Sequence, residues 1–411
     1  MRKDKFYRTI SGDTDESIVS TRNRDEHARK RRQISNVFSH RNVLSMESLV
    51  AAKVQQLVER LDAAAASGEM IDIRQWLNYF TFDVISMMAF GNDPGFLRSG
   101  NAQAAAETTN GSKVYRVDPI MSFQDNTVHV ATLGHWPALL RVTKPLTRWS
   151  MYSKRGDDFT NMCIHQVRRR LEKVSHPRND FFQHLLTDSK GEKRCLPFGE
   201  LVQEAGVLLS AGSDTTASAM TNTLYLWLRH PDVLEKLRTE IESALPDTKS
   251  AKHLVVLPHT PMRNVDYLRA CLDEGLRHLP PTSIGLLRMT PPEGARIAGH
   301  WIRGGVTVSV PTYTIHHDTT LFSDPWTYRP ERWLEGNAKE RQNLKDYVIP
   351  FTLGRHACIG RNIAFLEQTV VLSTLVTRYA FEFTAQGFQL PVLERINANP
   401  GPLPVLILYR I

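Results

Sequence analysis

Apolar positions along the chain recur mostly at three- and four-residue intervals, the period of a helix with one buried face. Ile73 to Gly91 is apolar around most of its girth and ends on a glycine, which predicts a core helix with a left-handed stop. Phe198 to His230, bounded by Pro197 and Pro231, predicts a helix of about 30 residues and about 45 Å, long enough to cross a whole domain. Its runs Val207 to Leu209 and Leu224 to Leu228 require burial. Ser20 to Arg32 begins another helix, with Thr21 or Asn23 as its cap and acidic residues in the first turn. Phe159 to Val174 is a basic helix whose polar face suits solvent or a membrane surface, and Tyr267 to Arg277 is amphipathic and ends before Pro280 and Pro281. Alternation is clearest in Ala295 to Val310, which predicts a β-hairpin turning at Gly304 and Gly305. The first twenty residues are polar and turn-rich around Ser11 to Asp13, without a core pattern. The expectation is a mainly α chain with small β-sheets and no visible linker.

Composition narrows the function classes. No run of about 18 apolar residues occurs, so nothing here reads as a membrane span, and Met1 to Lys5 is neither a signal peptide nor an anchor. The four cysteines (Cys163, Cys195, Cys271, Cys358) lie far apart with no Cys-x-x-Cys pair, against a zinc site or a disulfide scaffold and in favour of a reducing compartment. The net charge of +8 suits nucleic acid, an anionic membrane surface or an acidic protein partner. The basic residues, Arg141 to Arg148 among them, are scattered and no nucleic-acid motif accompanies them.

Chemistry concentrates at Phe351-Thr352-Leu353-Gly354-Arg355-His356-Ala357-Cys358-Ile359-Gly360, a glycine-rich loop leading straight into the helical pattern from Arg361. Alone, a cysteine near a turn is more often an inert packed thiol. Here the helix dipole and unpaired N–H groups favour a thiolate and hence a metal ligand. Gly354 lets the loop turn, Gly360 allows close backbone packing after the cysteine, and Phe351 sets an aromatic face beside the sulfur. In the long helix, Ala211-Gly212-Ser213-Asp214-Thr215-Thr216 places polar groups where packing is otherwise dry. Either the helix stops at Gly212 with Asp214 capping a new one, or it continues, with Ala211 and Gly212 approaching a flat cofactor and Thr215 bonding back to Ala211.

The loop fits Phe-x-x-Gly-x-(Arg/His)-x-Cys-x-Gly, and with it the chain resembles the cytochrome P450 family of haem-thiolate monooxygenases. The resemblance runs from His27 to the C-terminus. The stretch from Ala211 matches the family's oxygen-activation motif, and Glu274-x-x-Arg277 with Pro330-Glu331-Arg332 matches its buried charge network. The resemblance implies haem b ligated by Cys358, with Phe351, His356 and Gly360 around it, and propionate contacts from His27, Arg31 and Arg288. It implies proton relay by Asp214 and Thr215, and a structural role for Glu274, Arg277 and Arg332. His316-His317-Asp318 stands where the family usually reads His-Arg-Asp, so His317 departs, and either histidine is expected to be structural. Asn92 to His135 is expected to cover the substrate side, with Phe96, Met121, Phe123 and Trp136 as apolar candidates.

The implied fold is the mainly α haem-thiolate fold with small sheets, in one domain. The implied reaction inserts one oxygen atom from O2 into a small organic substrate. Its electrons would come from NADPH through a flavoprotein reductase docked by basic residues on the cysteine side, with cytochrome b5 as an additional donor. The loop and Pro280-Pro281-Thr282-Ser283 look like fungal microsomal members in secondary-metabolite or aromatic-compound metabolism, which sit on the cytosolic face of the endoplasmic reticulum. Only 26 residues precede His27, so an N-terminally truncated form is expected, with an unpaired sheet edge near Val306 to Pro311 and membrane attachment that is weak or lost, leaving the chain cytoplasmic or peripheral. The alternatives are a haem-thiolate isomerase or dehydratase, and a truncated non-catalytic haem-binding form.

Overall fold

The computed structural model describes residues 1–11, 15–136, 146–147, 149–172, 180–188, 190–245 and 255–410. The expected turn at Gly12 and Asp13, Arg141 and Val174 lie outside these residues. The main helices are α1 (Arg24–Ile34), α2 (His40–Leu44), α3 (Glu47–Ser67), α4 (Ile73–Phe90), α5 (Pro119–Leu133) and α6 (Met151–Glu172). They continue with α7 (Phe198–Arg229), α8 (Pro231–Ser243), α9 (His259–Met262), α10 (Asp266–His278), α11 (Thr312–His316) and α12 (Arg361–Arg378).

Local sequence accounts for the helix ends. Asn23 caps α1, its side chain accepting from the N–H groups of Asp25 and Glu26, so the helix starts at Arg24 and Thr21 plays no capping part. Gly91 closes α4 at φ 59°, as its glycine stop predicts. α7 is one continuous helix of 32 residues, and Asp214 caps nothing. α4 and α7 pack together in one apolar cluster that runs from Ile18 to Ile407 and includes Phe80, Leu209, Trp227 and Leu372, all buried. No helix among the described residues is long and apolar enough to cross a membrane.

The strands are short; β2 (Ile71–Asp72), β9 (Tyr379–Phe383) and β12 (Pro404–Tyr409) form one sheet, and β3 (Ala104–Glu107) pairs with β4 (Val114–Val117). β1 (Arg2–Lys3), β5 (Arg288–Met289) and β8 (Thr307–Val308) form one antiparallel sheet in the order β1-β5-β8. The opening residues therefore do carry structure: they supply a strand of this sheet and bury Phe6 and Tyr7. β8 is an outer strand of it. The hairpin is β6 (Ala295–Ile297) with β7 (His300–Ile302), and it turns at Ala298 (φ 46°) and Gly299 (φ 82°) rather than at Gly304 and Gly305. Two successive left-handed residues suit a tight hairpin, while Gly304 and Gly305 make the later bend that delivers β8 to its sheet. β10 (Val392–Glu394) and β11 (Ala398–Pro400) form a second hairpin, whose asparagines reach α7.

Candidate active site

Behind the cysteine loop lies a buried charge network in which every charge is matched. Glu274 and Arg277, three residues apart on α10, are both fully buried and form a bidentate pair: Arg277 Nε and Nη2 donate to the two carboxylate oxygens at 2.9 and 2.8 Å. The same carboxylate accepts from Arg332 Nε, Trp333 Nε1 and the Arg329 backbone N–H, each at 3.0 Å. The remaining guanidinium donors go to carbonyls: Arg277 to His316 and Pro325, Arg332 to Ser323, Asp324 and Thr327.

His316 joins this network to the loop. Its Nε2 accepts from the Ile349 N–H at 2.9 Å, which leaves the proton on Nδ1 to donate to the Arg277 carbonyl at 3.0 Å. Burial lowers its pKa to about 4, so this neutral tautomer is the working form. His317 hydrogen-bonds the Tyr313 carbonyl through Nδ1 and stacks near Tyr313 and Trp326, so both histidines are structural.

The loop then turns through Thr352 (φ 54°) and Gly354 (φ 70°), the latter with nothing near a would-be Cβ. The Cys358 N–H donates to the Phe351 carbonyl at 2.8 Å, and the Phe351 ring stands 5.3 Å from that of Phe365. Cys358 is exposed, and the N–H groups of Gly360 and Arg361 bond toward its sulfur. Desolvation by the surrounding protein nevertheless wins, and the thiol pKa is raised above its ordinary value despite these bonds and the charges of Arg31 and Arg361. Gly360 is less constrained than expected: its φ is −82°, and a Cβ there would meet only the sulfur, at 3.9 Å.

Beside the sulfur, cations gather, and among the described residues none of Lys3, Arg31, Arg288 and Arg355 has a carboxylate at ion-pair distance. His356 Nδ1 lies 3.2 Å from His27 Nε2, close enough that the two rings share one proton at that contact. Arg31 donates to the Ala357 carbonyl at 2.8 Å, and Arg288 donates to the Tyr7 hydroxyl at 3.1 Å. Desolvation, then Lys3, Arg31, Arg355 and Arg288, lowers the pKa of His27 to about 4. Desolvation, then His27, Lys3, Arg288 and Arg355, lowers that of His356 to about 3. Lys3, whose Nζ donates to the carbonyls of Ile18 and Val19, falls to about 7 through burial and Arg288, with Glu204 and Glu16 opposing. A cavity of 170 Å³ opens here, and its charged lining, including Arg2, Lys3, Arg22, Arg24 and Arg355, is wholly basic. Arg22 Nη2 and Thr21 Oγ1 are buried beside it without partners among the described residues. This donor set fits a metal group carrying carboxylates: cations and orphaned donors for the carboxylates, one thiol for the metal. Among the described residues no group of three or more potential ligands could hold a metal ion by itself.

The third part lies on α7. Thr215 Oγ1 donates to the Ala211 carbonyl at 2.8 Å, and Ala211 is exposed, so this one face of an otherwise buried helix is open. Gly212 faces elsewhere: a Cβ there would stand 2.6 Å from Ile85 Cγ1, so the glycine serves the packing of α7 on α4 and not the approach to a cofactor. Asp214 is buried and clamped by amides. Gln124 Nε2 donates to Oδ1 at 3.0 Å, Asn397 Nδ2 to Oδ2 at 2.8 Å, and Asn399 Nδ2 to both oxygens at 2.8 Å. A small apolar cavity lined by Phe82, Ile120, Phe123, Ser213 and Asp214 adjoins it. Phe123 thus stands at the site as expected, whereas Phe96 is core against Phe82, and Met121 and Trp136 are exposed.

Lys3, Arg355, Gln124, Asn397 and Asn399 were not singled out by sequence. Only the asparagines left a signal, since Asn-x-Asn entering a strand places both side chains on one face.

The mainly α fold, the exposed thiol of Cys358 at a helix start and the cation cluster beside it are the features of a haem-thiolate protein. The family model described as cytochrome P450 matches residues 1–405, and the chain belongs to that family. It is 33% identical to cytochrome P450 monooxygenase astD of Aspergillus oryzae, over 89% of this chain and 67% of that one. It is 30% identical to a trichothecene C-4 hydroxylase of Trichoderma arundinaceum (94% and 75% covered) and 31% identical to benzoate 4-monooxygenase bphA of Aspergillus niger (90% and 73%). The crystal structure of the cytochrome P450DA haem domain has the same fold, with a TM-score of 0.76 at 20% identity, covering 100% of this chain and 84% of that one. The chain is accordingly an oxidoreductase of the P450 monooxygenase type, a class that uses haem-thiolate iron and electrons from a redox partner.

Proposed function

We propose that this single-domain enzyme inserts one oxygen atom from O2 into a C–H or double bond of a small organic molecule of fungal secondary or aromatic metabolism. One observation carries the reading. A single loop sets His356 and Cys358 two residues apart, with His356 inside the cation cluster and the sulfur bonded by helix N–H groups. Haem b, when bound, supplies iron for O2 activation, with the thiolate pushing electron density toward O–O cleavage. Cys358 would ligate the iron, and His27, Arg31, Arg288, Lys3 and His356 would hold the propionates.

The remaining work falls to α7. The Thr215 hydroxyl, bonded back to Ala211, would hold a water on the open face, and the neighbouring Asp214, positioned by three side-chain amides, would take part in proton delivery to it. The overall balance consumes NADPH, one proton and O2 for one hydroxylated product and one water, the electrons arriving through a flavoprotein reductase with cytochrome b5 as an additional donor. A cytosolic or membrane-peripheral location fits such a partner. Substrates of the relatives, a trichothecene and benzoate by their names, point to terpenoid and aromatic compounds. The test is reconstitution with reductase, NADPH and isotopically labelled O2 over such a panel. One labelled oxygen in product supports the reading, and turnover of substrate without NADPH would instead assign an isomerase or dehydratase.

A further inference from the structure

A second cavity, of 370 Å³, lies between α2, α9, α10 and the first turns of α12. Its lining carries the guanidiniums of Arg263, Arg269 and Arg361 and the imidazoles of His40 and His259, with no carboxylate. Phe365 forms an aromatic wall, with the Arg269 guanidinium 4.0 Å and that of Arg361 5.8 Å from its centroid. Met262, Leu268 and Leu272 complete an apolar lining. Arg269 is matched by Asp273 at 2.9 Å, whereas Arg263, Arg361 and His40 have no carboxylate partner among the described residues.

His259 supplies an independent sign of a ligand. It is 7% exposed, lines the cavity, and its Nδ1 has no hydrogen-bond partner among the described residues. Native structures seldom leave such an atom unmatched, because an unsatisfied buried donor or acceptor is destabilising by about 1–3 kcal/mol. The volume falls within the range of small-molecule pockets, about 300–1,000 Å³, where a protein-docking surface would be flatter.

We propose that this cavity binds a small organic anion with a flat apolar body, an aryl carboxylate or sulfonate. Arg263 and Arg361 hold its charged group, and Phe365 and Leu268 pack its ring. The site lies outside the Asp214 cavity and shares no residue with it.

Titration calorimetry on the haem-loaded full chain tests this, using naphthalene-2-sulfonate and uncharged naphthalene-2-methanol. The sulfonate binds, the alcohol binds at least tenfold more weakly, and Arg263→Gln weakens the sulfonate about tenfold while leaving the reduced carbon monoxide spectrum and circular dichroism unchanged. No binding of the sulfonate, equal affinity for the alcohol, or equal affinity in Arg263→Gln overturns the proposal. So does weaker reductase association in Arg263→Gln with unchanged sulfonate affinity, which would give the cavity to the protein partner.

Discussion

Two charged regions flank the cysteine loop, and they are built on opposite principles. Around Glu274 the buried cations Arg277 and Arg332 meet a carboxylate and a ring of carbonyls, so the chain neutralises itself. Around His356 the cations Lys3, Arg31, Arg288 and Arg355 surround two histidines that are held neutral. A region compensated from within is scaffold. A region whose cations have no carboxylate at ion-pair distance suits an anionic ligand, and the proposed haem propionates would supply that charge. His316 ties the two together through the Arg277 carbonyl and the Ile349 N–H, so the scaffold fixes the loop that carries the sulfur.

The comparison breaks first, and hardest, at the scaffold. Arg277→Lys keeps the charge but loses the planar fork that serves Glu274 and the carbonyls of His316 and Pro325 together, leaving several buried groups unsatisfied at about 1–3 kcal/mol each. Denaturant unfolding of haem-loaded and haem-free protein should show the loss in both. A variant as stable as the parent would make the network ornamental.

Arg288→Gln separates the two principles, because the sign of its effect depends on haem. Without haem it relieves repulsion and raises the melting temperature by a few degrees; with haem it weakens retention about tenfold. Destabilisation of both forms alike would place Arg288 in the scaffold instead.

The pH dependence follows from the same cluster. His27 and His356 have folded pKa values of about 4 and about 3, below the unfolded value of 6.5, so the unfolded chain takes up protons first. Haem-free protein therefore loses stability as pH falls from about 6.5 toward 3, the His27 part of the loss ending near 4 and the His356 part near 3. A carboxylate-bearing ligand reduces the drop, and a pH profile identical with and without haem would count against the propionate assignment.

A smaller effect is expected at the clamp. Asn399→Ala takes one amide from Asp214 and should lower stability by about 1–3 kcal/mol. Product formed per NADPH consumed should fall with it, as it should for Thr215→Ala; unchanged yield in both would leave the polar stretch of α7 without a role in proton delivery.

What was legible in the sequence follows from distance along the chain. Phe351 to Gly360, Glu274 with Arg277, and Thr215 with Ala211 act over a few residues, so spacing revealed them. The clamp on Asp214 joins residues 183 and 185 positions apart, and Lys3 reaches His27 and His356 only through the fold, so no local pattern exposed either. Gly212 was misread because periodicity says that a helix face is small without saying which neighbour needs it, and Ile85 proved to be that neighbour. The hairpin was placed too late because Ala298 is an unusual residue for a left-handed turn position, and Gly304 with Gly305 looked the better signal.

The most direct test of the account is the spectrum of the reduced, carbon monoxide-bound protein, parent against Cys358→Ser. The parent should give a thiolate-type band that the variant lacks while keeping its helical circular dichroism, since the Glu274 scaffold does not involve the sulfur. The same band in both proteins would mean that Cys358 is not the ligand and that the cation cluster was built for something else.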